Sequence, residues 1–257
     1  MHHSSIDISE EDGIRYLHFG SEWVQGAMRI RRPVDLQLEY TREMMTGLLL
    51  RDGFTDTAKW PKRILLVGLG AGSLTKFCYW KLPQARVTTV EIDESVWAAA
   101  SFHFKLPAED QRLSIVIDDG VDYMTRPGPK FDYILIDGYD EDAKVGLLDS
   151  LPFYQACWAR LNENGMLATN LFGRSRSYAA PLKRLSEAFG GRTFALPQCA
   201  SGNVVALATR GEEISLTLAG LRERAVQLKA STGLDLRPTV KRIEQAGTSG
   251  PADRLQF

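Results

Sequence analysis

From residue 63 to residue 136 the chain alternates short apolar runs with stretches whose apolar residues recur at helical spacing. The runs are Arg63-Ile-Leu-Leu-Val67, Arg86-Val-Thr-Thr-Val90, Leu113-Ser-Ile-Val-Ile117 and Phe131-Asp-Tyr-Ile-Leu-Ile136. A strand with one wet face alternates apolar and polar residues; these runs are mostly apolar, as in strands covered on both faces. Residues 73–82, 94–103, 149–161 and 178–189 read as helices, and residues 166–170, 193–196 and 203–209 as later strands. Strands alternating with helices predict an α/β fold, a parallel sheet with helices on both faces. The last two strands, joined by Pro197-Gln-Cys-Ala-Ser-Gly202, are expected as an antiparallel pair at the edge.

Ahead of this alternation, residues 13–19 and 23–29 read as two short strands turning at Gly20-Ser21. Pro33 stops the second, and residues 38–50 have the apolar spacing of a helix. Beyond residue 212, one helix is expected over residues 216–230, then a loosely packed tail containing Gly and Pro.

Chemistry gathers where the apolar runs end. The first feeds into Gly68, Gly70 and Gly72, a turn that brings bare backbone N–H groups at a helix N-terminus against a ligand. The second ends in Glu91-Ile92-Asp93, and a carboxylate there can accept from both hydroxyls of a ribose. The third ends in Asp118-Asp119-Gly120, where Asp119 can meet the exocyclic amine of an adenine. The fourth ends in Asp137. Polar residues closing four successive strands form the rim on which open α/β sheets bind ligands. Ser73 stands where the dinucleotide fingerprint wants glycine or alanine, and that fingerprint has no regular use for the third carboxylate. The pattern therefore predicts a nucleoside of the S-adenosylmethionine type rather than NAD. Three parts result: an N-terminal β-hairpin and helix subdomain (residues 1–55), a Rossmann-like nucleoside-binding catalytic domain (56–211), and a C-terminal helix and tail (212–257).

Composition narrows the partners. The 257 residues are 44% hydrophobic, enough for one substantial core and a small appendage. With 31 basic and 32 acidic residues and a net charge of −1, there is no basic face for nucleic acid. Cys78, Cys157 and Cys199 are scattered and odd in number, as in reduced core or pocket residues of a cytoplasmic protein. No apolar run is long enough to span a membrane, and the N-terminus lacks a signal-type hydrophobic stretch. His2 and His3 read as tail residues, and the isolated His18 and His103 as surface or packed histidines, leaving no metal-ligand set.

The order of Gln25 on a hairpin, Tyr40 on a helix, Gly68-x-Gly-x-Gly72, Glu91-Ile-Asp93, Asp119-Gly120 and Asp137-x-x-Asp140 resembles the spermidine synthase family. Phe153-Tyr154 followed by Leu161-x-x-x-Gly165 adds to the resemblance, which covers roughly residues 13 to 209. It implies a Rossmann-like class I methyltransferase fold, with a mostly parallel seven-stranded sheet and a small N-terminal β-hairpin subdomain. It also implies aminopropyl transfer from decarboxylated S-adenosylmethionine to an amine acceptor, without a metal, in a homodimer. Trp23, Val24 and Met28 are the apolar residues that suggest a dimer contact on the appendage. By the resemblance, Asp137 takes the proton of the attacking amine, Asp140 is a second carboxylate holding it, and Tyr40 joins them. Gln25, the three glycines, Glu91, Asp119 and Gly120 hold the nucleoside, while Asn170 and Cys199 face the substrate. Asp140 also reads as part of a solvated acidic run, and Tyr154 as a packing residue.

Departures from the family pattern keep two alternatives open. Ala71 stands where the family's glycine loop carries an aspartate that holds the cationic aminopropyl arm. Its loss is compatible with intact S-adenosylmethionine and methyl transfer. Glu141-Asp-Ala-Lys-Val-Gly146 replaces the family's closing loop, Asn170 replaces a glutamine, and Cys199 replaces a tyrosine that contacts polyamine. A catalytically silent nucleoside-binding homologue is the other alternative.

Overall fold

The computed structural model describes residues 5–20, 23–51, 60–138, 146–172, 178–247 and 253–257. Asp140, the segment 141–145 and the N-terminal His2 and His3 lie outside the described residues.

The four apolar runs are strands β4 (Arg63–Val67), β5 (Arg86–Glu91), β6 (Leu113–Ile117) and β7 (Phe131–Ile136). β8 (Leu161–Phe172), β9 (Thr193–Ala195) and β10 (Asn203–Thr209) complete a seven-stranded sheet in the order β6-β5-β4-β7-β8-β10-β9. The pairings from β6 to β8 are parallel, and β10 is antiparallel to both its neighbours, so β9 and β10 form the expected edge pair. The chain winds outward from β4 to β6, then returns to lay β7 on the other side of β4. That reversal is the switch point at which such sheets bind ligands.

Helices α3 (Ser73–Lys81) and α4 (Glu94–His103) follow β4 and β5. On one face of the sheet α5 (Gly120–Thr125), α6 (Leu151–Arg160) and α7 (Ala179–Ala188) enclose Met124, Phe153, Tyr154, Cys157 and Leu185. Tyr154 is fully buried, the packing residue expected, and Cys78, Cys157 and Cys199 are all free and buried.

The N-terminal appendage is a three-stranded antiparallel sheet, β1 (Ile6–Glu11), β2 (Ile14–Phe19) and β3 (Gly26–Arg29). The sequence reading missed β1, whose Asp7, Ser9, Glu10 and Glu11 give it little apolar signal. This sheet has a core of its own. Leu17, Phe19 and Met28 pack on Leu69 and Ala71 of the glycine loop and on Val96, Ala100 and Phe104.

Two expectations fail. Residues 38–50 do not form one helix but two short ones, α1 (Glu39–Glu43) and α2 (Gly47–Leu50). The Tyr133 hydroxyl enters the break, donating to the Met44 carbonyl and accepting from Gly47 N at 3.1 Å, in place of a helical bond. A Cβ at position 47 would lie 2.5 Å from that hydroxyl, so only glycine admits it. The C-terminal tail is not loose either. After α8 (Leu218–Thr232) comes α9 (Arg237–Ala246), which buries Val240 and Ile243, while β12 (Arg254–Gln256) pairs with β11 (Ser215–Thr217) and buries Leu255. These elements share a core with α1, α2, α3 and the second face of the sheet.

Candidate active site

The glycine turn is built by backbone needs. Gly68, Gly70 and Gly72 all have positive φ (+97°, +50° and +66°), the region that penalises a Cβ. A Cβ on Gly68 would lie 2.2 Å from the Asp137 carbonyl oxygen, so the turn also brings the ends of β4 and β7 together. Gly120 meets the same limit, since its Cβ would fall 2.5 Å from Val67.

Glu91 closes β5 with its carboxylate turned back over the loop, accepting from Leu69 N at 2.9 Å and Asp93 N at 3.0 Å. Burial pushes its pKa up, against the lowering effect of those N–H groups. Two accepted bonds leave a carboxylate free to take more. Asp119 caps α5 through one oxygen, which accepts from Val121 N (2.7 Å) and Asp122 N (3.2 Å). Its neighbour Asp118 is paired with Arg126. Ile92 and Ile117, unremarked in the sequence, stand exposed beside these carboxylates.

The hairpin covers the turn. Gln25 is half-buried, its N–H donates to Leu17 O at 2.8 Å, and its carbonyl approaches Gly70. A Cβ built on Gly26 would lie 2.5 Å from the Ala71 Cβ. Ala71, where the family pattern has aspartate, is thus buried against β3.

Across the switch point lies a chain of polar side chains. Asp137 keeps a partly open edge, but protein encloses its carboxyl elsewhere. That desolvation raises its pKa to about 6, opposed by hydrogen bonds from Asn170 and Tyr40. Asn170 Nδ2 donates to Asp137 Oδ1 at 2.9 Å, Asn203 Nδ2 to Asn170 Oδ1 at 2.9 Å, and Ser201 Oγ to Asn203 Oδ1 at 2.6 Å. Asn170 is therefore buried and turned on Asp137 rather than open to a substrate. Cys199 is buried too, its thiol donating to Glu43 Oε2 at 3.1 Å, with burial pushing its pKa up to about 12.

Sequence reading missed Asn203, Ser201, Glu39, Glu43 and Arg242 here. A carboxylate at position 43 inside the apolar spacing of residues 38–50 was the available signal, because charge on a buried face needs a partner.

A seven-stranded sheet of this order, with carboxylates closing its strands at the switch point, defines a class I methyltransferase-type nucleoside fold. The spermine/spermidine synthase domain matches residues 41–173. The polyamine aminopropyltransferase of Chromobacterium violaceum is 37% identical over 240 residues, covering 93% of this chain and 89% of that protein. Among solved structures, a probable spermidine synthase from Corynebacterium glutamicum has a TM-score of 0.75 at 20% identity, covering 90% of this chain and 86% of that one. Human methyltransferase-like protein 13 in complex with SAH has a TM-score of 0.67 at 26% identity, covering 76% and 93%. The chain belongs to the spermine/spermidine synthase family and is a transferase by that membership.

Proposed function

We propose that the protein transfers an aminopropyl group from decarboxylated S-adenosylmethionine to a small amine. Asp137 carries the reading: a carboxylate of raised pKa, aimed by Tyr40 and Asn170, at the seam between the nucleoside turn and the network leading to Cys199. Glu91 would take the ribose hydroxyls, Asp119 the adenine amine, and Ile92 and Ile117 offer apolar faces for the base. Gln25, Gly68, Gly70, Gly72 and Gly120 shape the walls.

The chemistry follows. The lone pair of a neutral amine attacks the methylene beside the sulfonium, and the C–S bond breaks with its electron pair going to sulfur. Methylthioadenosine leaves, and the new secondary ammonium departs as product with its own protons. Because an alkyl amine with a pKa near ~10.4 arrives protonated at neutral pH, one ammonium proton first passes to Asp137 to free the lone pair, and Asp137 returns it to water after release. Burial moves Asp137 closer to the ammonium it has to discharge, which makes it a better base. Much of the remaining acceleration comes from holding nitrogen, carbon and sulfur in line. Asn170 serves here as a positioning residue, and Asp140 is kept as the second carboxylate of the reading, outside the described residues.

Ala71 favours a second reading, methyl transfer from intact S-adenosylmethionine, because it places no carboxylate against the donor's own. Calorimetric titration with the two donors separates them. Tighter binding of the decarboxylated form, with methylthioadenosine released on adding amines, supports aminopropyl transfer; preference for the intact donor and release of S-adenosylhomocysteine would replace it.

A homodimer in the cytoplasm is also proposed. Trp23 and Val24 are 55% and 42% exposed on the appendage and support a contact there, whereas Met28 is buried within its own chain and cannot contribute. Sedimentation showing a monomer at micromolar concentration would remove the dimer.

A further inference from the structure

Arg242, on α9, reaches α1 and the loop that follows β9. Its Nη1 pairs with Glu39 and with Glu43 Oε1 (2.8 Å for the latter), and its Nη2 donates to the Pro197 carbonyl. Ala200 N donates to Glu39 Oε2 at 3.2 Å and the Cys199 thiol to Glu43 Oε2. All four carboxylate oxygens of the two glutamates thus have a donor from the chain itself. Ligand atoms of Glu39, Glu43 and Cys199 lie within 4.8 Å of one another, a spacing fit for a cation, and the guanidinium is the cation beside them.

This cluster adjoins the reacting centre. Glu39 and Glu43 flank Tyr40 on α1, and Tyr40 bonds Asp137. Cys199 and Ala200 belong to the loop whose Ser201 leads through Asn203, at the start of β10, and Asn170 to the same carboxylate. A linear diamine with one nitrogen at Asp137 would seek an anionic place of this kind for its other end. We propose that Arg242 sets the acceptor: it fills that acidic place from within the chain, so that the enzyme takes amines bearing a single positive charge over diamines. The amine nature of the acceptor rests on the aminopropyl-transfer reading, but the binding preference is measured without turnover.

The test is calorimetric titration of the full chain, saturated with methylthioadenosine, with 1-aminobutane and with 1,4-diaminobutane. Wild type should bind the monoamine at least as tightly as the diamine. Arg242→Gln should tighten the diamine by roughly tenfold or more and leave the monoamine alone, since like charges facing each other are costly. Arg242→Lys, which keeps a cation, should retain the wild-type order. If Arg242→Gln does not fold, wild type and Arg242→Lys still decide. A wild-type preference for the diamine, an unchanged ratio in Arg242→Gln, a gain in Arg242→Lys, or no amine binding to any form would overturn the proposal. A shifted binding ratio without methylthioadenosine-forming turnover from any amine would instead defeat the reaction and leave the role of Arg242 standing.

Discussion

A carboxyl group enclosed by protein and asked to act as a base works against the fold that holds it, and the base proposed above, Asp137, would be in that position. Its pKa of about 6 lies above the ordinary aspartate value of 3.8, so the folded chain favours its neutral form. The stability this gives is fully present below about pH 3.8 and lost as pH rises through about 6. Asp137→Asn should therefore unfold at a higher temperature than wild type at pH 8, with the gap closing below pH 4; a lower melting temperature at pH 8 would mean the charge is stabilising. Activity runs the other way. A base must be unprotonated, so turnover should fall as pH drops through about 6. Asp137→Asn should lose roughly 10²–10⁴-fold in turnover while keeping nucleoside affinity, as measured by single-turnover kinetics beside calorimetry. Glu91→Ala should weaken nucleoside binding, and because it leaves the Leu69 and Asp93 N–H groups without their acceptor it should also cost about 1–3 kcal/mol in denaturant unfolding. The places of Asp137, Glu91 and Asp119 at the strand ends were legible because each follows an apolar run. Asn203 and Ser201 were not, because what makes them matter is the bond from Asn203 to Asn170, 33 residues away, which Ser201 extends through Asn203.

At the scale of elements, the hairpin and the glycine turn share a fixed space. Gly26→Ala should force β3 off the turn, since its Cβ would fall 2.5 Å from that of Ala71. Nucleoside affinity should drop, and Ala71→Gly in the same chain should restore part of it, since a contact of 3.0 Å with the backbone nitrogen of residue 71 would remain. A double substitution as weak as Gly26→Ala alone would show that the Ala71 Cβ is not what the new methyl meets. Tyr133→Phe leaves the Met44 carbonyl and Gly47 N–H without their partner in a buried break, at a cost of about 1–3 kcal/mol in denaturant unfolding. That break explains why residues 38–50 misled: their spacing is helical, and the side chain that interrupts them lies on β7. The central strands, by contrast, were legible almost to the residue, because double-sided burial leaves an apolar run that local sequence contains whole.

For the whole molecule, the C-terminal segment is a structural wall. Leu234, Leu236, Val240, Ile243 and Leu255 are all buried, and each contributes roughly 1.5–3 kcal/mol when fully covered. Ending the chain at residue 232 should therefore remove on the order of 10 kcal/mol, comparable to the ~5–15 kcal/mol that holds a domain together, and leave insoluble protein. A soluble, cooperatively unfolding product would contradict this. The signal was present, since Leu236, Val240 and Ile243 recur at helical spacing, but Gly233 and Pro238 read as marks of a tail. The strand order has one more consequence. On the proposed reaction, donor contacts would sit on the β6-β5-β4 bank of the sheet and acceptor contacts on the β7-β8-β10 bank, and the two would meet along a single seam at Asp137. Changes on one bank can therefore accumulate without disturbing the other. A lineage built on this plan can exchange what it modifies while inheriting unaltered the means of holding what it donates.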